Sequence, residues 1–145
     1  MKIIKITTEN KITALDYPEG SFSQQNHKFR ELIGPKCFMY EHVRPKRLYR
    51  ELRGSAQPGR KEGSAVSMLI DEEGHYNDLD FNTVGSWLYE SDKHGHPILG
   101  DILIIGEYLS RGGIAFSGLS DEQFNLLYPQ LKLLALKAAS YEEEE

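Results

Sequence analysis

Two stretches of the chain, residues 65–71 (Ala-Val-Ser-Met-Leu-Ile-Asp) and 98–106, are almost continuously apolar. A strand with one face in water alternates apolar with polar side chains, so runs like these predict strands covered on both faces. Both are too short for the roughly 20 apolar residues of a membrane span. They must therefore form the centre of a sheet with further elements packed above and below it.

The remaining segments supply such layers. Residues 2–7 and 11–17 predict two strands around Thr8-Glu9-Asn10, a hairpin. After the breaker Pro18-Glu19-Gly20, Ser21 or Ser23 caps a helix whose inner face carries Phe22, Asn26, Phe29 and Ile33, ending at Gly34-Pro35. Residues 37–43 read as a short apolar strand. Pro45 then opens a helix with Leu48, Leu52 and Tyr49 on its apolar side. Asn82 or Thr83 caps a short helix bearing Val84, Trp87 and Leu88, and residues 114–117 are placed to pair with the second apolar run around Arg111-Gly112-Gly113. Ser120-Asp121-Glu122-Gln123 has the pattern of a capping box, and Pro129 predicts a kink or a restart of the last helix at Gln130.

Strands and helices mix without regular βαβ alternation, which predicts an α+β fold with a mostly antiparallel sheet packed by helices. At 145 residues the chain suits one domain, with 39% hydrophobic residues to fill a core. That domain is expected over residues 1–141, with a basic helix–loop insertion at 44–63 and a solvated acidic tail at 142–145. The single cysteine, Cys37, excludes an internal disulfide and reads as a small buried hydrophobe. Met1-Lys2-Ile3-Ile4-Lys5-Ile6 reads as a strand rather than a signal core, so the cytoplasm is the expected compartment.

Charge is segregated along the chain. Arg44, Lys46, Arg47, Arg50, Arg53, Arg60 and Lys61 stand against Glu51 alone, +6 in eighteen residues of a chain whose net charge is −5. On a helix from Pro45, Lys46, Arg50 and Arg53 would share a face, and the Gly/Ser/Pro loop after it would add backbone N–H groups. Guanidinium forks suit phosphate oxygens, and Tyr49 could stack on a base. This predicts binding of a phosphate-bearing ligand, a nucleotide or nucleic acid. The alternative is a solvated cationic face that pairs with the protein's own acids.

Other clusters carry weaker signals. His94-Gly95-His96, with Asp92, Asp101 and His75 or His42, contains metal-ligand residue types, but a turn accounts for its composition. Asp71, Glu72, Glu73, Asp78 and Asp80 miss the calcium-loop spacing, and Ser55, Ser67 and Ser86 lack a nucleophile-elbow context. Trp87 and Tyr89 read as core and rim. The sequence thus predicts neither a catalytic apparatus nor a cofactor. Tyr108 and Leu109, apolar residues beyond a strand end, suggest a homo-oligomer.

Several motifs occur together in a fixed order: Leu-Ile-Gly at 32–34, the strand from Cys37 to Val43, Ser-Met-Leu-Ile-Asp-Glu-Glu-Gly at 67–74, and Asn77. Ile-Leu-Gly-Asp-Ile-Leu-Ile-Ile-Gly-Glu at 98–107 and Leu-Ser-Asp-Glu-Gln-Phe at 119–124 complete it. Over roughly residues 1–134 the chain resembles a domain-of-unknown-function family spread through phages, plasmids and conjugative elements of bacteria. The resemblance implies a small accessory protein of a mobile element, employed in evasion of host defence, and it implies no catalytic residues. The basic insertion at 44–63 is where the chain departs from that family. Two functions follow as expectations: capture of a phosphate-bearing ligand, or inhibition of a host defence effector by protein–protein contact.

Overall fold

The computed structural model describes residues 1–144. In chain order the elements are β1 (Lys2–Ile6), β2 (Ile12–Asp16), α1 (Phe22–Ile33), β3 (Tyr40–Val43), α2 (Lys46–Arg50) and β4 (Ala65–Asp71). They continue with α3 (Thr83–Leu88), α4 (Ser91–His94), β5 (Ile102–Ser110), β6 (Gly113–Ser117) and α5 (Asp121–Glu144). The strands form one antiparallel sheet in the order β2-β1-β5-β4-β3. β6 pairs with the second half of β5, in line with β1, to which the bridge Lys2–Leu119 joins its exit. The chain is a single α+β domain. None of its described helices is long and apolar enough to cross a membrane.

The two apolar runs lie side by side at the centre of the sheet, Ala65 opposite Glu107 and Leu69 opposite Leu103. Period-two alternation divides their side chains between two cores. Val66, Met68, Ile102 and Ile104 join Leu48 and Leu52 of the α2 turn, Val84 and Leu88 of α3, and Leu127, Leu131 and Ala135 of α5. Leu69, Leu103 and Ile105 meet Phe29 and Ile33 of α1 on the other face. Ile102, Leu103, Ile104 and Ile105 have no exposed surface, and burying each contributes roughly 1.5–3 kcal/mol.

Glycine makes one crossing possible. A Cβ on Gly106 would lie 2.1 Å from the Gly118 carbonyl oxygen, so the backbone between β6 and α5 runs directly over β5. Gly63, at φ +71°, completes the contact and accepts from the Ser120 N–H through its carbonyl. The next residue along β5 is Glu107, whose side chain points to the opposite face of the sheet.

Several boundaries differ from the sequence expectation. The second central strand starts at Ile102 rather than Ile98 and runs on to Ser110. β3 starts at Tyr40, leaving Phe38 and Met39 exposed, and Cys37 is half-buried rather than buried. On α1, Ser21 and Gln24 close a capping box, but Phe22 is 78% exposed instead of facing the core. α5 is continuous through Pro129, because Leu127, Leu131, Ala135 and Ala138 hold one buried line on both sides of it. Pro129 itself faces outward, and the Gln130 side chain donates to the Leu126 and Leu52 carbonyls. Of the expected Ser120 box only half forms: Ser120 Oγ accepts from Gln123 N–H, while the Gln123 side chain accepts from Ser55 N–H. The acidic tail is helical as far as Glu144, and Glu142 accepts from Asn10 and Thr83. Glu145 lies outside the described residues.

Candidate functional site

The basic segment starts where β3 leaves the sheet. Leu48 and Leu52 drive into the core beneath α2, and the helix stops at Arg50 after five residues. Arg53 adopts φ 66°, and Gly54 follows so close to Val66 that a Cβ there would lie 2.8 Å from its Cγ2. Arg53 therefore sits beyond the helix and does not extend the face of Lys46 and Arg50. The reversal of the chain comes from seating Leu52 and Gly54 on the sheet.

Three of the seven cations are engaged by the protein's own acids. Arg44 Nη1 donates to Glu107 Oε1 at 2.5 Å and Nη2 to the Ala56 carbonyl at 2.5 Å, so one guanidinium ties the basic loop to β5. The Glu107 side chain is fully buried, and a carboxylate is kept there only by partners of opposite charge. His42 Nε2 lies 3.0 Å from Oε2, but Oε2 has no hydrogen bond. Ser67, on the same face of β4, also has its buried hydroxyl unbonded. Nothing prepares that hydroxyl as a nucleophile.

Arg47 is held more completely. It donates to both oxygens of Asp92 at 2.6 and 2.9 Å and to the Trp87 carbonyl at 2.9 Å, with its guanidinium 5.0 Å from the centre of the Trp87 ring. The Arg47 hydrogen bond holds the Asp92 carboxyl below its usual range, and the same bond raises the guanidinium. Arg50 lies 3.7 Å from Glu90 with its side chain 66% exposed. Tyr49 is not free to stack on a base. Its hydroxyl donates to the Val66 carbonyl at 2.7 Å, and burial pushes that hydroxyl up to about 12.

Lys46, Arg53, Arg60 and Lys61 are different. All four are exposed, and among the described residues none has a carboxylate within 4.0 Å. The Leu109 N–H donates to the Gly59 carbonyl at 2.7 Å, which sets Arg60 and Lys61 alongside the β5–β6 hairpin and its exposed turn residue Arg111. Much of the loop backbone is already committed, because the N–H groups of Gly54, Ser55, Gly59 and Ser64 all donate within the chain. The loop therefore offers side-chain charge more than a cradle of amides.

Beside α2 lies a cleft of about 550 Å³, lined by Phe81, Thr83, Trp87, Ser91, Asp92 and Pro97. Asp92 joins it to Arg47. The histidines near it form a turn: Gly95 has φ 80°, His94 Nδ1 accepts from His96 N–H, and His94 Nε2 contacts the Tyr89 carbonyl. Asp101 is elsewhere, accepting from Thr8 N–H and pairing with Lys5, and His42 lies against Glu107. His75 lines a pocket with His96, but among the described residues no group of three or more His, Cys, Asp or Glu is placed to hold a metal ion. Asp71 accepts from Glu73 N–H and Asn77, so it orders the turn after β4. Ser86 Oγ accepts from Ile98 N–H. Burial pushes the Cys37 thiol up to about 11, away from nucleophilic character.

The residue that sequence reasoning missed is Glu107. Its signal was present: it is the acid that closes the apolar run at 98–107. No family model, curated protein or solved structure matches this chain, so its site is read from its own geometry.

Proposed function

We propose that this protein is a non-catalytic binding protein of a phage or mobile element, and that its basic segment captures a phosphate-bearing ligand. One observation carries the reading: Lys46, Arg53, Arg60 and Lys61 stand exposed and unpaired on a backbone that Arg44 and Arg47 hold in place. Exposed cations on an ordered frame that lack an internal counter-charge are available to an anion that supplies one. Arg50, largely exposed and 3.7 Å from Glu90, is the cation most easily recruited from an internal pair. The cleft beside Trp87 and Asp92 offers apolar surface to the uncharged part of such a ligand. The assignment to mobile elements rests on the ordered motifs at 32–34, 67–74, 98–107 and 119–124.

Thermal unfolding across a panel of mono-, di- and cyclic nucleotides and short single-stranded nucleic acids tests this function. A ligand that binds only the folded state raises Tm in proportion to its saturation. A concentration-dependent rise that disappears in Lys46→Glu/Arg53→Glu supports the reading. No shift with any phosphate-bearing compound overturns it.

A further inference from the structure

The outward side of α5 carries an apolar strip most of which is exposed. Leu133 and Leu136 are 60% and 68% exposed and Pro129 is exposed, while Leu126 at the near end is half-buried, one side against the core. Positions 126, 129, 133 and 136 follow the alternating three- and four-residue spacing that lines one helix face. The opposite face, through Leu127, Leu131, Ala135 and Ala138, already holds α5 to the sheet. Leu133 and Leu136 are therefore surplus to the fold.

Its charges are ordered along the helix. Glu122 lies on the same strip four residues before Leu126, and Lys137 lies four residues after Leu133. Both are exposed, and among the described residues neither has an oppositely charged side chain within 4.0 Å. Lys132 flanks the strip, its Nζ 4.6 Å from the centre of the Tyr128 ring. The strip thus reads acid, leucine, proline, two leucines, base from end to end.

Such a strip is complementary to itself only when reversed. In an antiparallel pair crossing between Pro129 and Gln130, Leu126 meets Leu133 of the second copy and Glu122 meets Lys137 of the second copy. A two-fold axis makes each contact twice. A parallel pair would instead bring Lys132 and Lys137 of the two copies together across the seam, and like charges there oppose it. We propose that α5 is the seam of an antiparallel homodimer, with Leu126, Leu133 and Leu136 as its apolar contact and Glu122–Lys137 as its orienting pair. This surface is separate from the basic segment, and its test does not depend on the ligand.

Light scattering and sedimentation of the full chain decide it. The parent should have twice the 16.6 kDa chain mass. Leu133→Glu/Leu136→Glu should be monomeric with unchanged circular dichroism, since both side chains are exposed. Lys137→Glu alone should raise the dimer Kd about tenfold or more, because two symmetric pairs become repulsive. Combining it with Glu122→Lys should restore dimerisation, which a merely apolar association would not require. A monomeric parent at millimolar concentration overturns the proposal. So does a dimer that survives Leu133→Glu/Leu136→Glu, which would place the interface elsewhere, or a charge swap that fails to restore assembly.

Discussion

Arg44 Nη1 lies 2.5 Å from Glu107 Oε1, and the two residues are 63 positions apart in the chain. The carboxylate is fully buried while the Arg44 side chain keeps 36% of its surface exposed. The partners therefore differ in what each loses when the other is removed. Glu107 cannot turn to water, and Arg44 can.

That asymmetry predicts an order of stabilities. Arg44→Met leaves the buried carboxylate with His42 alone and releases the Ala56 carbonyl. Breaking a fully buried pair costs about 3–5 kcal/mol, and the exposure of Arg44 reduces this to about 2–3 kcal/mol. Tm should fall by roughly 6–10 °C. Glu107→Gln leaves no buried charge behind and should cost about 1 kcal/mol. Calorimetry of the two variants checks the order, and equal losses would show that the pair is not held by the buried carboxylate.

The Arg47–Asp92 pair gives a pH signature. Its hydrogen bond lowers the Asp92 carboxyl from 3.8, so the folded state binds that proton less tightly than the unfolded chain does. The resulting stabilisation is fully present above the unfolded value and fades as pH falls through the folded one. Tm of the parent should therefore fall more steeply than that of Asp92→Asn as pH drops below about 4. Parallel curves would mean that the pair adds nothing in solution, as many exposed pairs do.

Gly106 is predicted to tolerate no side chain. A Cβ 2.1 Å from the Gly118 carbonyl oxygen meets backbone, which cannot rotate aside, so the crossing over β5 must open. Gly106→Ala should destabilise by about 2–4 kcal/mol, at or beyond the upper end of usual overpacking costs. Gly112→Ala, where nothing lies within 4 Å of a Cβ, is the control and should be nearly neutral. Urea denaturation of both variants distinguishes the local clash from a general effect of added methyl groups.

The central sheet was legible because fully covered strands must be apolar at every position, and residues 65–71 show this without ambiguity. The start of β5 was not. Ile98 and Leu99 are as apolar as the strand itself, but Gly100, at φ +86°, turns the chain before Ile102. Pro129 misled for a related reason. A missing N–H on an exposed helix face is outweighed by a buried line of Leu and Ala that continues past it. The basic segment shows the deeper limit. Its charge was visible, but the sorting of Arg44, Arg47 and Arg50 onto internal acids depends on the β4–β5 register and on the approach of α4 to α2. Neither is written in the local sequence.

This sorting separates two kinds of charge reversal within one segment. Lys46→Glu/Arg53→Glu changes side chains that touch no acid, so stability should stay within about 0.5 kcal/mol of the parent. Affinity for a phosphate-bearing ligand should fall about a hundredfold or more, because each lost charge-assisted contact removes about 1.5–3 kcal/mol. Arg47→Glu should act in the opposite order. It sets a carboxylate against Asp92 and strips the Trp87 carbonyl of its donor, so Tm falls first and binding weakens with it. Salt then distinguishes the ligand class. Affinity for a nucleic-acid strand falls steeply with ionic strength as neutralised phosphates release counterions, whereas a small nucleotide gives a shallow slope. If Lys46→Glu/Arg53→Glu and Arg60→Glu/Lys61→Glu both bind every tested anion as the parent does, the exposed cations are only a solvated face.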